Sequence, residues 1–144
     1  MTSGPAGCEF CAIARGEDAA AEVVCEGERW VAFFPPEPAT PGHTLVIPRI
    51  HVPDLWAADA ELGADLMEAV IHVGHAVEKA VSPEGMNLIT SAGQAAEQSV
   101  FHLHLHVVPR WEDDELDIWP PKEPMQRQLK ENLADAVREA CIER

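Results

Sequence analysis

Residues 102–110 read His-Leu-His-Leu-His-Val-Val-Pro-Arg, in which imidazole and apolar side chains alternate. Successive side chains of a β-strand point to opposite faces, so the stretch 100–108 is predicted to be a strand with its three histidines on one face. Side chains two residues apart on a strand are about 6.5–7 Å apart, too far for direct hydrogen bonds between the rings but close enough to surround one ligand or metal. Pro109 is expected to end the pairing of this strand because it lacks a backbone N–H.

Three imidazoles on one face indicate a functional site rather than three structural histidines. Two interpretations stay open at this point: a metal site built from two or three of the rings, or an imidazole nucleophile flanked by helper groups. Neutral imidazole, with a pKa of about 6.5, is both a nucleophile and a good leaving group at pH 7. That combination favours transient transfer of a phosphoryl-type group.

The rest of the chain predicts an α+β fold. Short apolar runs indicate four further strands, at residues 23–26, 29–34, 43–48 and 86–91. A long helix is predicted from Asp59 to Val81, where apolar residues recur at helical spacing and Asp59 caps the first turn. Shorter helical stretches are predicted at residues 8–15 and, at the C-terminus, 125–142. We therefore expect an antiparallel five-stranded sheet, covered on one face, that packs against the long helix and the C-terminal helix.

The composition is that of a single domain with a strong negative charge. The 144 residues include 10 basic and 25 acidic side chains, a formal net charge of −15. This charge repels nucleic-acid backbones and anionic membranes, so neither is expected as a partner, and a phosphorylated small molecule must be held by local donors. We recognise no signal peptide and no apolar run long enough to cross a membrane. The solitary Cys25 and Cys141 suit free thiols in or near the core of a cytoplasmic protein.

The histidine segment resembles the signature of the histidine-triad (HIT) family, His-φ-His-φ-His-φ-φ, where φ is apolar. The match is complete over residues 102–108, and the wider similarity runs from 98 to 110. Upstream, residues 41–48 read Pro-Gly-His-Thr-Leu-Val-Ile-Pro and are similar to a second block of the family, in the expected order. The resemblance covers about residues 8–110 of a single domain spanning the chain, and leaves an acidic and helical extension at 111–144.

This resemblance implies roles for several polar residues. His104 would be the nucleophile, forming a nucleotidyl-imidazole intermediate that water then resolves. His106 would donate to a phosphate oxygen or to the leaving group, and His43 would lie beside the triad and tune its basicity. Gln98 and Ser99 would supply further donors to the phosphate, although a hydrogen-bonded entry to the strand also explains them. A covalent intermediate splits one hard substitution into two easier ones, and fixed donors stabilise the developing charge.

Cys8 and Cys11 form a Cys-x-x-Cys pair, which two kinds of site use. A thioredoxin-like dithiol normally follows a strand, and no strand is predicted before residue 8. Two thiolates at this spacing also bind zinc, which needs two further nitrogen or sulfur ligands. In HIT proteins with this N-terminal pair, the resemblance implies that His51 and His102 complete the set. Four protein ligands fill a tetrahedral coordination sphere, so the zinc is expected to be structural.

The chain departs from the family pattern at three positions. Pro35 stands where nucleotide-binding members have an Asp that holds the ribose hydroxyls, and a proline side chain offers no hydrogen bond. Ser91 replaces the usual Asn before a small-residue loop, where it is expected to contact the substrate. Glu97 replaces a glycine next to Gln98. Phe10 is expected to form an apolar wall for a base, although core packing explains it equally well.

Together these residues predict a hydrolase or transferase that acts on the α-phosphate of a nucleotide conjugate: a phosphoramidate, a dinucleoside polyphosphate or an acyl adenylate. Two alternatives are a nucleotide-binding adaptor that turns over slowly, and a metalloenzyme that uses the three histidines of residues 102–106 directly. The resemblance also implies a homodimer formed through the sheets or long helices, with Trp119 and the C-terminal segment at the neighbouring site. His72 and His75, on the long helix, are expected at a solvated or interface position.

Overall fold

One five-stranded antiparallel sheet forms the centre of the computed structural model, which describes residues 4–142. The strands are β1 (Glu22–Glu26), β2 (Trp30–Phe34), β3 (Thr44–Pro48), β4 (Gly85–Ile89) and β5 (Leu105–Arg110). The helices are α1 (Glu9–Ala14), α2 (Ala60–Val81) and α3 (Arg127–Ile142). The order of strands across the sheet is β1-β2-β3-β5-β4. The prediction of an α+β fold with five antiparallel strands is confirmed.

The long helix α2 begins and ends where the sequence predicts. The Asp59 side chain accepts a hydrogen bond from the backbone N–H of Leu62, which satisfies a donor of the first turn. The chain leaves the helix at Ser82, whose φ of 47° lies in the left-handed region that ends many helices. The apolar stripe of α2 is buried against one face of the sheet. It comprises Leu62, Leu66, Ala69, Val70, Val73 and Val77, packed with Ala32, Val46, Leu103, Leu105 and Val107.

A second apolar cluster lies on the opposite face of the sheet, so the prediction of a single covered face is wrong. The six-residue helix α1 buries Phe10, Ile13 and Ala14 against β2 and β3. These three residues follow the i, i+3, i+4 spacing that places side chains on one side of a helix. Even a short helix therefore covers this face. The sheet residues of the cluster are Val31, Phe33, Leu45 and Ile47.

The C-terminal helix α3 forms close to its predicted bounds, but none of its 16 residues is buried. Residues 111–126, which carry no helix or strand, connect it to β5. Within the single chain α3 adds nothing to the core, and α1 is the second helix that covers the sheet. Neither α3 nor any other helix within residues 4–142 is long and apolar enough to cross a membrane.

The strand that carries the histidines begins later than predicted. β5 starts at Leu105, so His102 and His104 precede it. The backbone N–H of Leu103 donates to the carbonyl of Val52 at 2.7 Å, in a connecting segment instead of a neighbouring strand. The histidine segment is therefore an irregular approach to the sheet, and two of its three imidazoles lie outside the strand.

The same strand also ends later than predicted, because Pro109 does not stop it. Pro109 pairs with Met86 of β4, and the ladder continues for one more residue. The register between β5 and β3 ends where Val107 faces Thr44. Beyond that point β5 has a neighbour on one side only, and a residue without an N–H is tolerated there.

Candidate functional site

Four side chains that are distant in sequence meet at the start of α1 and can hold a metal ion. Cys8, Cys11, His51 and His102 each offer one ligand atom, and all four atoms lie within 4.8 Å of one another. From Sγ to Nδ1, the distances are 3.6 Å for Cys8–His102, 3.5 Å for Cys11–His102 and 3.4 Å for Cys11–His51. The Nδ1 atoms of the two histidines are 3.2 Å apart.

These separations are those of a tetrahedral zinc site. Zinc lies about 2.3 Å from a thiolate sulfur and about 2.0 Å from an imidazole nitrogen. Tetrahedral angles then place sulfur and nitrogen about 3.5 Å apart and two nitrogens about 3.3 Å apart. The observed distances of 3.4–3.6 Å and 3.2 Å match both values. Four of the six ligand-to-ligand distances therefore already suit the metal, and the other two pairs lie within 4.8 Å.

The backbone around the cluster presents the ligand atoms. His102 is fully buried, and its Nε2–H donates to the carbonyl of Pro48 at 2.9 Å, which leaves Nδ1 free to bind a metal. Burial lowers the pKa of His102 to about 4, so the ring is neutral at pH 7, as a metal ligand must be. Cys8 precedes α1, and its Sγ accepts the backbone N–H of Cys11 at 3.4 Å. The first turn of α1 thus brings both sulfurs to one point.

The ring of His104 is held in one tautomer by a backbone carbonyl. Its Nδ1 lies 2.8 Å from the carbonyl oxygen of His102, which can only accept, so Nδ1 carries the proton. Burial lowers the pKa of His104, which keeps the ring neutral at pH 7. The other nitrogen, Nε2, is therefore left with a free lone pair. His104 also lies outside the four-residue metal cluster.

A hydrogen-bonded chain sets the tautomers of the next two histidines. The backbone N–H of Ala39 donates to Nδ1 of His43 at 2.9 Å, so the proton of the neutral ring is on Nε2. That Nε2–H donates to Nδ1 of His106 at 3.0 Å, which leaves the proton of His106 on its own Nε2. Burial lowers the pKa of His43, and burial followed by the nearby His104 and His43 lowers the pKa of His106 to about 4. His106 is thus a neutral N–H donor.

The free lone pair on Nε2 of His104 and the N–H donor of His106 belong to adjacent rings. The rings of His104 and His106 meet edge to face, with centroids 5.0 Å apart. The His43 ring lies 5.2 Å from that of His106, beside the triad as the family resemblance implies. A nucleophilic nitrogen beside a hydrogen-bond donor is an arrangement that suits attack on a phosphorus atom whose oxygens need stabilisation.

Phe10 packs against the imidazoles within the second core cluster. Its ring meets that of His104 edge to face at 5.1 Å and that of His102 at 6.0 Å, and it lies 5.3 Å from Phe33. Only 7% of Phe10 is exposed. Of the two interpretations of Phe10, core packing is the one that these contacts favour, and the ring holds both histidines in place from the α1 side.

Both the oxygen and the nitrogen of the Gln98 side-chain amide are hydrogen-bonded to backbone groups. Its Oε1 accepts the N–H of Gly93 at 2.8 Å, and its Nε2 donates to the carbonyls of Pro53 and Val100 at 2.6 and 3.0 Å. This amide joins the small-residue loop to the segment that follows His51. A phosphate would have to displace one of these bonds to be bound by it, so the structure favours the hydrogen-bonded entry to the strand.

Two predicted substrate-binding residues are serines near this loop, and one further contact, made by Thr90, was not identified from the sequence. Ser99 is exposed in a groove that Cys8 and His51 also line, and Ser91 is partly buried. The hydroxyl of Thr90 donates to the carbonyl of His104 at 2.8 Å and anchors the backbone of that residue. A threonine at a strand end gives no sequence signal for this contact, because its partner is 14 residues away.

The departures from the family pattern have local structural consequences. Pro35 follows the last residue of β2 and is partly buried. Glu97 is exposed and adopts a φ of 66°, in the left-handed region that glycine enters without strain. The glycine usual at this position is therefore explained by the backbone, and Glu97 keeps the same conformation at a steric cost.

The remaining histidines and cysteines lie apart from the site. His72 and His75 are exposed on α2, as predicted. Cys25 is partly buried beside the α2 cluster, whereas Cys141 is exposed on α3. The expectation that Cys141 lies in or near the core is wrong, because α3 does not pack on the body of the chain.

Known proteins share both the fold and the sequence pattern. The structure of SMU.412c from Streptococcus mutans matches with a TM-score of 0.89 at 33% identity, covering 98% of this chain and 89% of that one. A Zn-bound histidine triad family protein from Mycobacterium smegmatis matches with a TM-score of 0.73 at 33% identity, covering 98% and 100%. Adenylylsulfatase HINT3 from Arabidopsis thaliana is 31% identical over 95% of this chain and 68% of its own length. The HIT domain model matches residues 17–113, more than half of the sequence, and the chain therefore belongs to the histidine-triad (HIT) family.

Proposed function

We propose that this protein is a nucleotide hydrolase or nucleotidyl transferase that works through a covalent nucleotidyl-His104 intermediate. One observation carries the proposal: the unprotonated Nε2 of His104 belongs to a ring beside the N–H donor of His106, and backbone groups set both tautomers. A neutral imidazole with a fixed lone pair is a nucleophile at pH 7. The adenylylsulfatase among the relatives supports a substrate with an adenylyl group.

The first step forms the bond between His104 and the substrate. Nε2 of His104 attacks the α-phosphorus, the N–P bond forms, and the leaving group departs with the electron pair of its own bond to phosphorus. A basic leaving group such as the amine of a phosphoramidate takes up a proton from solvent as it departs. The Nδ1–H of His104 stays bonded to the carbonyl of His102, which stabilises the positive charge that the ring acquires. The Nε2–H of His106 donates to a phosphate oxygen and stabilises the negative charge there.

The second step releases the product. A water molecule attacks the phosphorus, the N–P bond breaks with its electron pair returning to Nε2 of His104, and the proton lost by the water passes to solvent. A nucleoside monophosphate leaves, and both histidines return to their starting tautomers. Another acceptor in place of water gives transfer instead of hydrolysis. His43 takes no part in bond breaking and acts as a positioning residue, because it fixes the tautomer of His106 through Nε2–H.

We also propose that Cys8, Cys11, His51 and His102 bind a structural zinc ion. Their donor atoms have the spacing of a tetrahedral site, and the relative from Mycobacterium smegmatis is Zn-bound. Four protein ligands would leave no open position for water, so a bound ion would supply cross-linking and no Lewis acidity toward the substrate. Thiolate ligands need a reducing compartment, and we therefore place the protein in the cytoplasm.

The substrate we propose is a nucleotide conjugate whose leaving group is joined to the α-phosphate, such as a phosphoramidate, a dinucleoside polyphosphate or an acyl adenylate. A net charge of −15 opposes such an anion, so binding depends on the donors beside His104. Pro35 and Glu97 favour a second candidate, a nucleotide-binding protein of slow turnover. The Pro35 side chain offers the ribose no hydrogen bond, and Glu97 carries a negative charge next to Gln98.

The test uses adenosine phosphoramidate with the wild-type protein, His104→Ala and His75→Ala. We expect turnover in the wild type and in the exposed control His75→Ala, and a loss of at least about 10³-fold in His104→Ala, as for removal of other covalent nucleophiles. Acid quenching during turnover, followed by mass spectrometry, should find one nucleotidyl group on the peptide that contains residues 102–110.

Two results would decide against this mechanism. Activity of His104→Ala within tenfold of the wild type would remove the covalent step. Tight nucleotide binding by the wild type without turnover of any of the three conjugates would favour the slow binding protein. One zinc per chain in His104→Ala must be verified in either case, because it shows that the fold and the metal cluster survive the substitution.

A further inference from the structure

The backbone of His104 lies just outside the regular pairing of the sheet. β5 begins at Leu105, which faces Val46 of β3 in the last pair of that ladder. The ladder between β5 and β4 ends where His106 faces Ile89. Within the part of the chain that the structure describes, neither ladder includes His104. Strand pairing therefore does not set the position of this residue.

A threonine hydroxyl supplies a hydrogen bond at this point. Thr90 follows Ile89, the last residue of β4, and its Oγ1 donates to the carbonyl of His104 at 2.8 Å. The hydroxyl thus adds one bond between the two chain segments beyond the last pair of the β4–β5 ladder. His104 is only 6% exposed, so water cannot readily replace this donor if it is lost.

The end of β4 holds both histidines of the proposed reaction. Ile89 pairs with His106 through the ladder, and the next residue, Thr90, bonds to His104 through its hydroxyl. Two consecutive residues therefore fix the backbones of the two histidines relative to each other. The rings, whose centroids are 5.0 Å apart, act together on one phosphate group only while that arrangement is kept.

The other contacts of His104 act on its ring. Nδ1 bonds to the carbonyl of His102 at 2.8 Å, and Phe10 meets the ring edge to face at 5.1 Å. The first contact sets the tautomer, and the second limits the rotation of the ring. Neither contact joins His104 to β4, on which the pairing of His106 depends.

The chemistry of threonine suits this position. A β-branched side chain fits an extended backbone and has few χ1 rotamers, so the hydroxyl is directed at little cost in conformational freedom. Valine has nearly the same shape but carries a methyl group in place of the donor, whereas serine keeps the donor and loses the methyl group. These two substitutions of Thr90 therefore separate the hydrogen bond from the shape of the side chain.

We propose that Thr90 is a positioning residue of the reaction, an inference that rests on the proposed nucleotidyl-His104 mechanism. Its hydroxyl holds the backbone of His104 so that Nε2 faces phosphorus while the N–H of His106 meets a phosphate oxygen. Thr90 acts through His104 and not on the substrate, so it serves the rate of attack instead of substrate binding. A misplacement of about 1 Å in a reacting group can lower a rate about 100-fold.

Turnover of adenosine phosphoramidate by Thr90→Val and Thr90→Ser tests this role. Thr90→Val should lower kcat about 10- to 100-fold and leave KM within about threefold of the wild type, because the groups that bind the substrate are kept. Thr90→Ser should retain kcat within about fivefold, since it still donates. In acid-quenched single turnovers, Thr90→Val should nucleotidylate the peptide of residues 102–110 more slowly by the same factor as kcat.

A destabilised control separates positioning from a general weakening of the fold. Val70→Ala removes two methyl groups from the buried stripe of α2, on the opposite face of the sheet from Phe10. It should lower Tm, while kcat at 25 °C stays within about twofold of the wild type. A fall of kcat in Val70→Ala as large as that in Thr90→Val would overturn the proposal, because destabilisation alone would then explain both.

Three results for Thr90 would also decide against it. These are a wild-type kcat in Thr90→Val, an equal loss of kcat in Thr90→Ser, and a rise in KM alone, which would place Thr90 against the substrate. The variant His104→Ala tells the two proposals apart. If His104→Ala stays active, the covalent mechanism and this inference both fail, whereas an inactive His104→Ala beside a fully active Thr90→Val removes only the inference.

Discussion

Removal of metal from the Cys8–Cys11–His51–His102 cluster should unfold the protein at a markedly lower temperature. The ligand atoms already lie within 4.8 Å of one another and four of the six pairs are 3.2–3.6 Å apart, so little of the binding energy of zinc is spent on assembling the site. At free zinc 1,000-fold above the dissociation constant, binding to the native state alone stabilises it by about 4 kcal/mol. For a chain of this size each kcal/mol shifts Tm by about 3 °C, so chelation should lower Tm by about 12 °C.

The assay is thermal unfolding with and without a chelator, alongside zinc analysis. The wild type should contain one zinc per chain, and Cys11→Ser should contain none, melt near the chelated wild type and ignore further chelator. Cys141→Ser removes an exposed thiol and should behave as the wild type. Equal effects of the chelator on the wild type and on Cys11→Ser, or a wild type that binds no zinc, would refute the assignment.

Two further predictions concern the loop before His43 and the charge state of His106. Gly42 has a φ of 90°, and an added Cβ would lie 3.2 Å from Val81 and 3.3 Å from Pro109, so Gly42→Ala should cost about 2 kcal/mol in urea unfolding. Gly63→Ala, inside α2 with nothing within 4 Å, should instead stabilise by up to about 1 kcal/mol, and the same sign for both would contradict the argument. Burial lowers the pKa of His106 to about 4, whereas in the unfolded chain the pKa of this ring is about 6.5. As the pH falls below about 6.5, the unfolded chain binds a proton that the native ring does not, so the free energy of unfolding decreases until about pH 4. The decrease approaches about 3 kcal/mol, and His106→Asn should not show it. If the free energies of unfolding of the two proteins run parallel from pH 4 to 7.5, the contribution of His106 is excluded.

Much of the metal cluster could be predicted from the sequence because ligand type and spacing constrain it. A Cys-x-x-Cys pair needs two more ligands, and the family pattern pointed to His51 and His102, whose donor atoms the structure places at the sulfurs. The alternation of the histidine segment also separated the imidazoles from Leu103, Leu105 and Val107, which pack in the α2 cluster. It could not show that the strand begins only at Leu105, because the backbone partner of the preceding residue comes from a separate segment.

Contacts between distant backbone groups were the part that could not be predicted. Gln98 has the amide that a phosphate site would use, yet its three partners are a loop N–H and two carbonyls whose positions depend on the finished fold. The position of α3 is a different kind of failure. Its amphipathic pattern correctly predicts a helix with an apolar side, but the pattern does not say whether the same molecule covers that side.

The proposed metal ligand His102 and the proposed nucleophile His104 depend on the same short piece of backbone. His102 donates from Nε2 to Pro48 and so leaves Nδ1 free for the proposed metal, whereas His104 donates from Nδ1 to the carbonyl of His102 and so leaves Nε2 free for the proposed attack on phosphorus. Opposite nitrogens are left free because the two rings donate to their acceptors from different nitrogens. The carbonyl that sets the tautomer of His104 belongs to a residue whose ring is a ligand in the proposed zinc site. Holding that ring therefore holds the acceptor, and the proposed zinc site would orient the proposed nucleophile without contacting the substrate.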